Sequence, residues 1–222
     1  MKIGVILPTF RDDASDAFAV AAQCEELGID GVFAYDHLWP MGSPLRPSLA
    51  PFPVLAAVAA RHASLHVGPL VARVGMVATS HLVAQFRTLA AVAPGRVVAA
   101  VGTGDTKSRD ELEAYGLDYA SADARRELVA QVARELREEM PVWIGAGAAA
   151  TNELARELAV ALNLWDTDLG RTSELAATGA VTWAGPSRED LSAWLSGLRD
   201  AGAQWAVFAP GVDVRALANW RA

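Results

Sequence analysis

Short apolar runs alternate along the whole chain with longer stretches in which apolar residues recur every three to four positions. The first pattern suits strands covered on both faces, and the second suits helices with one buried stripe. Residues 3–7 predict a first strand, stopped by Pro8. Behind the acidic turn Arg11-Asp12-Asp13, the spacing of Ala17, Val20, Ala21, Cys24 and Leu27 predicts a helix that Gly28 ends. Residues 32–35 form a second strand. The stretch 41–53 carries Pro44, Pro47, Pro51 and Pro53 and reads as a loop, giving way to an alanine-rich helix over 54–63. A third strand follows at 65–71, then a helix at 80–92 with Leu82, Phe86, Leu89 and Ala90 on one face. Pro94-Gly95-Arg96 turns the chain into a fourth strand at 97–101.

Residues 106–119 are polar and irregular, ahead of a helix over 122–139 with Leu128, Val132 and Leu136 inward. A fifth strand at 142–144 breaks at glycines into a helix beginning near Thr151, and a sixth strand spans 160–164. Residues 180–183 predict the seventh strand. Ser187-Arg188-Glu189-Asp190 resembles a capping box at the start of a helix carrying Leu191, Trp194, Leu195 and Leu198, and 205–209 is the eighth strand.

Eight strands, most followed by a helix, predict one α/β domain over residues 1–222, a compact (β/α)8 TIM barrel. The competing architecture, an open doubly wound sheet, lacks its Gly-x-Gly-x-x-Gly turn after the first strand. A barrel gathers its strand ends at one mouth. Asp36, His37, Thr103, Gly147, Asn163 and Trp165 belong there.

The net charge of −7 argues against a nucleic-acid or anionic-membrane partner, each of which calls for a basic surface. A single cysteine, Cys24, excludes a disulfide framework and a cysteine metal site, and its core-facing position predicts an inert thiol. No apolar run is long enough to span a bilayer, so a cytoplasmic location is the expectation. His66 has no His, Asp or Glu at metal-ligand spacing and reads as a strand-edge histidine, so no metal is expected.

The candidate chemistry starts at the second strand, which runs into Asp36 and His37, a carboxylate beside the side chain that titrates near neutral pH. The competing reading has Asp36 capping a turn and His37 satisfied in the core. Two glycine-bearing strand ends point to an anion. Gly145-Ala146-Gly147-Ala148-Ala149-Ala150-Thr151 joins a strand to a helix amino terminus, where free N–H groups and the helix dipole favour a phosphate. Gly102-Thr103-Gly104 offers a second close approach, although such glycines also serve simple turns.

Residues 1–8, Asp36-His37, 65–71, the run 89–104 with its Pro94-Gly95-Arg96 entry, 141–147 and 185–208 together resemble the bacterial luciferase-like monooxygenases, which include FMN-dependent oxygenases and coenzyme F420-dependent oxidoreductases. The resemblance implies F420 or FMN as cofactor, a small-molecule substrate and a homodimer paired through helices near the second and third strands, with Leu82, Phe86 and the alanines of 54–60 as a candidate face. His37 matches the active-site histidine, a proton donor or acceptor, with Asp36 orienting it. Leu70 and Val71 match a non-prolyl cis peptide against the flavin. Thr103 and Gly104 match a phosphate contact; Gly145, Gly147, Ala148 and Thr151 match the phosphate loop; Trp165 lies near the mouth. Three departures stand out. The segment between the sixth and seventh strands is cut to about residues 166–179, no basic side chain occupies the position of Thr103, and the family's Arg-His-Pro reads Val77-Ala78-Thr79. An oxidoreductase or monooxygenase is therefore expected, with a non-catalytic flavin-binding or F420-binding barrel as the alternative.

Overall fold

The computed structural model describes every residue except Met41, Leu45 and Ala222, so two positions of the proline-rich loop lie outside the described residues. In chain order the elements are β1 (Lys2–Ile6), α1 (Ser15–Glu26), β2 (Gly31–Ala34), α2 (Pro51–Arg61), β3 (His66–Pro69), β4 (Ala72–Arg73), α3 (Thr79–Val92) and β5 (Ala99–Gly102). A 3-10 turn (Thr106–Ser108) leads to α4 (Arg109–Ala114), α5 (Ala122–Leu136), β6 (Val142–Gly145), α6 (Ala149–Glu157) and β7 (Ala161–Trp165). The chain ends with α7 (Leu169–Ala176), β8 (Val181–Gly185), α8 (Leu191–Asp200), β9 (Trp205–Phe208) and α9 (Val214–Arg221).

All strand pairs are parallel, in the order β3-β2-β1-β9-β8-β7-β6-β5-β4. One parallel bridge, Val67 to Val97, joins β3 to the residues entering β5 and brings the two ends of the sheet together. The eight-strand expectation thus holds with the third strand broken in two. β3 closes the lower half of the barrel, and β4 carries the ladder on to β5 near the mouth.

The strands have two faces and two cores. Outward residues pack on the helices, while Phe33, Trp143 and Trp205 meet inside the barrel at centroid separations of 5.3 to 5.6 Å. These rings plug the lumen, and Gly4 makes room for them: a Cβ there would stand 2.8 Å from Phe33 Cε2. Bulky side chains are accommodated where a neighbouring strand contributes almost nothing.

Several elements depart from expectation. The helix over 54–63 begins earlier, at Pro51, because proline is tolerated in a first turn whose N–H groups have no intrahelical partner. The capping box placed at Ser187 is not formed. Asp190 is the N-cap, its Oδ1 accepting from Ala193 N–H at 2.9 Å, because a carboxylate one residue before the helix reaches the third amide directly. Leu82 and Phe86, offered as a pairing face, are buried on the barrel side of α3, and Phe86 stacks edge-on against Phe52. The residues 106–119 contain the 3-10 turn and α4, while α7 and α9 add two short helices. Elements of six to eight residues offer too little periodicity for sequence to reveal.

Candidate functional site

At the carboxyl end of β2 the chain passes from the buried strand into Tyr35, Asp36 and His37. His37 Nδ1 stands 2.8 Å from Glu111 Oε1, and the other oxygen of Glu111 accepts from Leu38 N–H at 2.7 Å and from Arg73 Nη2 at 2.9 Å. Glu111 and Arg73 are nearly sealed from solvent, at 1% and 4% exposure, whereas the His37 side chain is 23% exposed. Asp36 does not bond the imidazole. Its Oδ2 accepts from the Arg73 main-chain N–H at 2.7 Å, and burial pushes its carboxyl above the usual carboxylate range, with the Arg73 contacts pulling the other way. The carboxylate seated on His37 is therefore Glu111, from α4.

An aromatic wall rises beside this cluster. Phe10 and Tyr35 stack at 5.5 Å and 11°, and Tyr35 also meets His37 at 6.3 Å and Trp165 at 6.1 Å. Burial raises the Tyr35 phenol to about 12, so it acts as a neutral hydroxyl. Trp165, at the end of β7, is half exposed at the rim.

The remaining expected residues fall on the same face of the barrel. The Leu70–Val71 peptide is cis. The Val71 side chain leans over the ends of β5 and β6, where a Cβ on Gly102 would come within 2.5 Å of Val71 Cγ2 and one on Gly145 within 3.4 Å. Gly102 therefore answers first to packing, whereas a Cβ on Gly145 would make only ordinary contact. Gly147 differs, since a Cβ there would meet nothing within 4 Å among the described residues. It precedes α6, whose N-cap, Ala148, supplies no side-chain hydrogen bond; Thr151 N–H turns back to Ala148 O at 2.9 Å and Gly147 N–H lies 3.4 Å from Asn152 Oδ1, while the Ala149 and Ala150 amides have no partner among the described residues. Thr151 is buried on the inner side of that helix, which leaves main-chain amides as the donors at this corner. Thr103 is half-buried, its hydroxyl donating to Gly104 O at 3.2 Å, and Gly104 takes a positive φ of 67°.

The open corner at Gly147 and the uncapped start of α6 fit a phosphate, and the Val71, Tyr35 and Trp165 surfaces fit a flat ring system. No group of three or more His, Cys, Asp or Glu that could hold a metal ion occurs among the described residues. His66 is satisfied at the far end of the barrel, its Nδ1 3.0 Å from Asp30 O and its ring against Trp205. Cys24 is buried, its thiol pushed up to about 12 by loss of solvent.

Two residues that organise this site, Arg73 and Glu111, escape the sequence reading. A lone arginine inside the apolar run from Leu70 to Val74 is a signal, because a buried guanidinium calls for a carboxylate. Nothing local indicates that the partner lies 38 residues away.

No curated protein matches the sequence. Among solved structures, the fold matches an F420-dependent secondary alcohol dehydrogenase in complex with an F420-acetone adduct (TM-score 0.80, 13% identity, covering 98% of this chain and 97% of that one). It also matches the monooxygenase RslO1 from Streptomyces bottropensis (0.76, 14%, 100% and 97%). A third match is the coenzyme F420-dependent tetrahydromethanopterin reductase from Methanopyrus kandleri (0.76, 11%, 99% and 96%). The family model described as luciferase-like monooxygenase matches residues 1–198, which span the strand-two cluster, β4, α4 and the α6 corner. The chain belongs to the luciferase-like monooxygenase family.

Proposed function

We propose that the chain is an oxidoreductase that holds F420 or FMN across the barrel mouth and acts on a small organic substrate, with His37 giving or taking a proton. Family membership supports the class, and the similar structures include an F420-dependent secondary alcohol dehydrogenase and a monooxygenase. The observation that carries the reading is His37 itself: a partly exposed imidazole, held at Nδ1 by a buried carboxylate, on the same strand-end face as an uncapped helix start.

Gly147, Ala148 and the α6 amides would hold the phosphate, with Thr103 and Gly104 beside it and Thr151 packing the helix start from within. Leu70, Val71, Gly145 and Trp165 would bound the ring. Once bound, a deazaflavin supplies hydride transfer and a reduced flavin supplies oxygen chemistry. The protein's own part is to orient the substrate against the Tyr35 and Trp165 surfaces, limit water at the mouth and move a proton at His37.

The test is titration of the purified protein with F420 and with FMN, each oxidised and reduced, followed by fluorescence and thermal shift. Tight F420 binding selects hydride transfer, and preference for FMN selects oxygen chemistry. Where turnover is found, His37→Ala should slow it by about 10² to 10⁴ with cofactor affinity nearly intact. Equal turnover removes His37 from the chemistry. A second reading, a barrel that binds the cofactor without turnover, is favoured by the short connection between β7 and β8, whose one helix among the described residues is the eight-residue α7. Binding without turnover across a substrate screen would select it.

A further inference from the structure

Arg73 is costly where it stands. It occupies a two-residue strand between buried neighbours, and its Nε and Nη1 atoms are closed off from solvent without hydrogen-bond partners among the described residues. A buried ion pair is a weak source of stability, since apolar replacements of similar volume are often neutral or better. Packing alone does not account for the arginine. Its contacts do point somewhere: the main-chain N–H holds Asp36, the residue before His37, and the side chain holds Glu111, the residue on His37 Nδ1.

The three nitrogens around Glu111 are arranged asymmetrically. Leu38 N–H and Arg73 Nη2 share Oε2, which leaves Oε1 to the imidazole. A guanidinium does not give up its proton in a protein, and the Glu111 carboxylate ion-paired with it is an acceptor only. Facing an acceptor-only oxygen, Nδ1 must be the protonated ring nitrogen. Nε2, on a side chain that is 23% exposed and whose ring makes no other hydrogen bond among the described residues, then becomes the acceptor in the neutral ring and the donor in the charged one.

We propose that Arg73 is a positioning residue for His37: acting through Glu111, it fixes the neutral imidazole as the Nδ1–H tautomer and presents Nε2 to the barrel mouth. Its relevance to turnover rests on the reading of His37 as the proton-handling group, but the tautomer can be observed without any cofactor.

The experiment is long-range 1H–15N correlation spectroscopy of the labelled chain at a pH where histidines are neutral, with the His37 signals assigned by their loss in His37→Gln. The native chain should show a protonated Nδ1 and an unprotonated Nε2. Glu111→Gln, and the double variant Arg73→Met with Glu111→Leu, which removes both charges together, should release the ring to the Nε2–H form that free imidazole side chains favour. Arg73→Lys, which keeps the cation, should retain the native tautomer. His62, whose Nδ1 lies 2.7 Å from Glu25 Oε2 elsewhere in the fold, should be unchanged throughout. A native Nε2–H ring, or a native tautomer that survives in the double variant, overturns the proposal. If F420 or FMN supports turnover, kcat should fall at least tenfold in Glu111→Gln and recover in no variant that lacks the carboxylate, whereas unchanged kcat overturns the functional part. If neither cofactor supports turnover, the proposed function fails, and the spectra still decide whether the Arg73–Glu111 pair positions the ring.

Discussion

The closure of the barrel rests on a very close backbone approach at Gly68, and replacing that glycine with alanine tests whether the approach matters. A Cβ on Gly68 would stand 2.3 Å from Val98 O, a main-chain atom that no rotamer change can move. An ordinary carbon–oxygen contact is about 3.3 Å or more, so the strands must part by about 1 Å. The two hydrogen bonds across this seam, Val67 N–H to Arg96 O at 2.9 Å and Val98 N–H to Val67 O at 3.0 Å, would then exceed hydrogen-bond range. Losing two buried backbone bonds at about 1 to 2 kcal/mol each costs about 2–4 kcal/mol. Alanine returns at most about 1 kcal/mol by restricting the unfolded chain. Gly68→Ala should therefore lose about 1–3 kcal/mol, read as a fall in urea midpoint at unchanged slope. Gly147→Ala, which meets no atom, is the matched control and should keep or slightly raise the midpoint, by no more than about 1 kcal/mol. Equal midpoints for the two variants would refute the claim that the β3–β5 seam is held by this contact.

Asp36→Asn keeps an acceptor for Arg73 N–H and removes a charge that burial disfavours. Because the folded pKa is raised, the native chain loses stability as pH rises from the unfolded value near 3.8 through the folded value. The variant's melting temperature should accordingly equal the parent's in acid and exceed it at neutral pH; a lower value at pH 7 would contradict the assignment. Arg73→Met alone strands the Glu111 carboxylate and should cost about 3–5 kcal/mol in chemical denaturation, with most of it regained on adding Glu111→Leu. Cys24 should resist a thiol reagent until the chain unfolds. With its folded pKa near 12 against 9.0 for a model thiol, it should also withdraw stability as pH rises above about 9.

The order of elements and the face on which the site lies were both legible, because long apolar runs and helical stripes reflect burial directly. Asp36, His37 and the Gly145–Thr151 corner could be placed at the mouth for that reason alone. Finer assignments failed where the deciding contact was remote. Whether Asp36 or Glu111 seats the imidazole depends on how α4 folds back over β4, and α4 is six residues inside a polar stretch. Leu82 and Phe86 were ambiguous because a helix buried on one side and paired on another shows the same residues in sequence. Gly102 reads as a ligand approach, yet Val71 fills the space above it.

Arg96 shows what the family resemblance rests on. Its Nη1 donates to the carbonyls of His62 and Leu65, and its Nη2 to that of Ala59, so one guanidinium ties off the end of α2 and the entry to β3 from the turn ahead of β5. This is a mason's cramp on the side of the barrel away from the mouth. The Gly-Arg entry, which with Asp36-His37 carries much of the resemblance, is thus in this chain a matter of construction. Kinship read from that corner attests to how the chain is put together, at the opposite end of the barrel from Arg73, Tyr35 and Trp165.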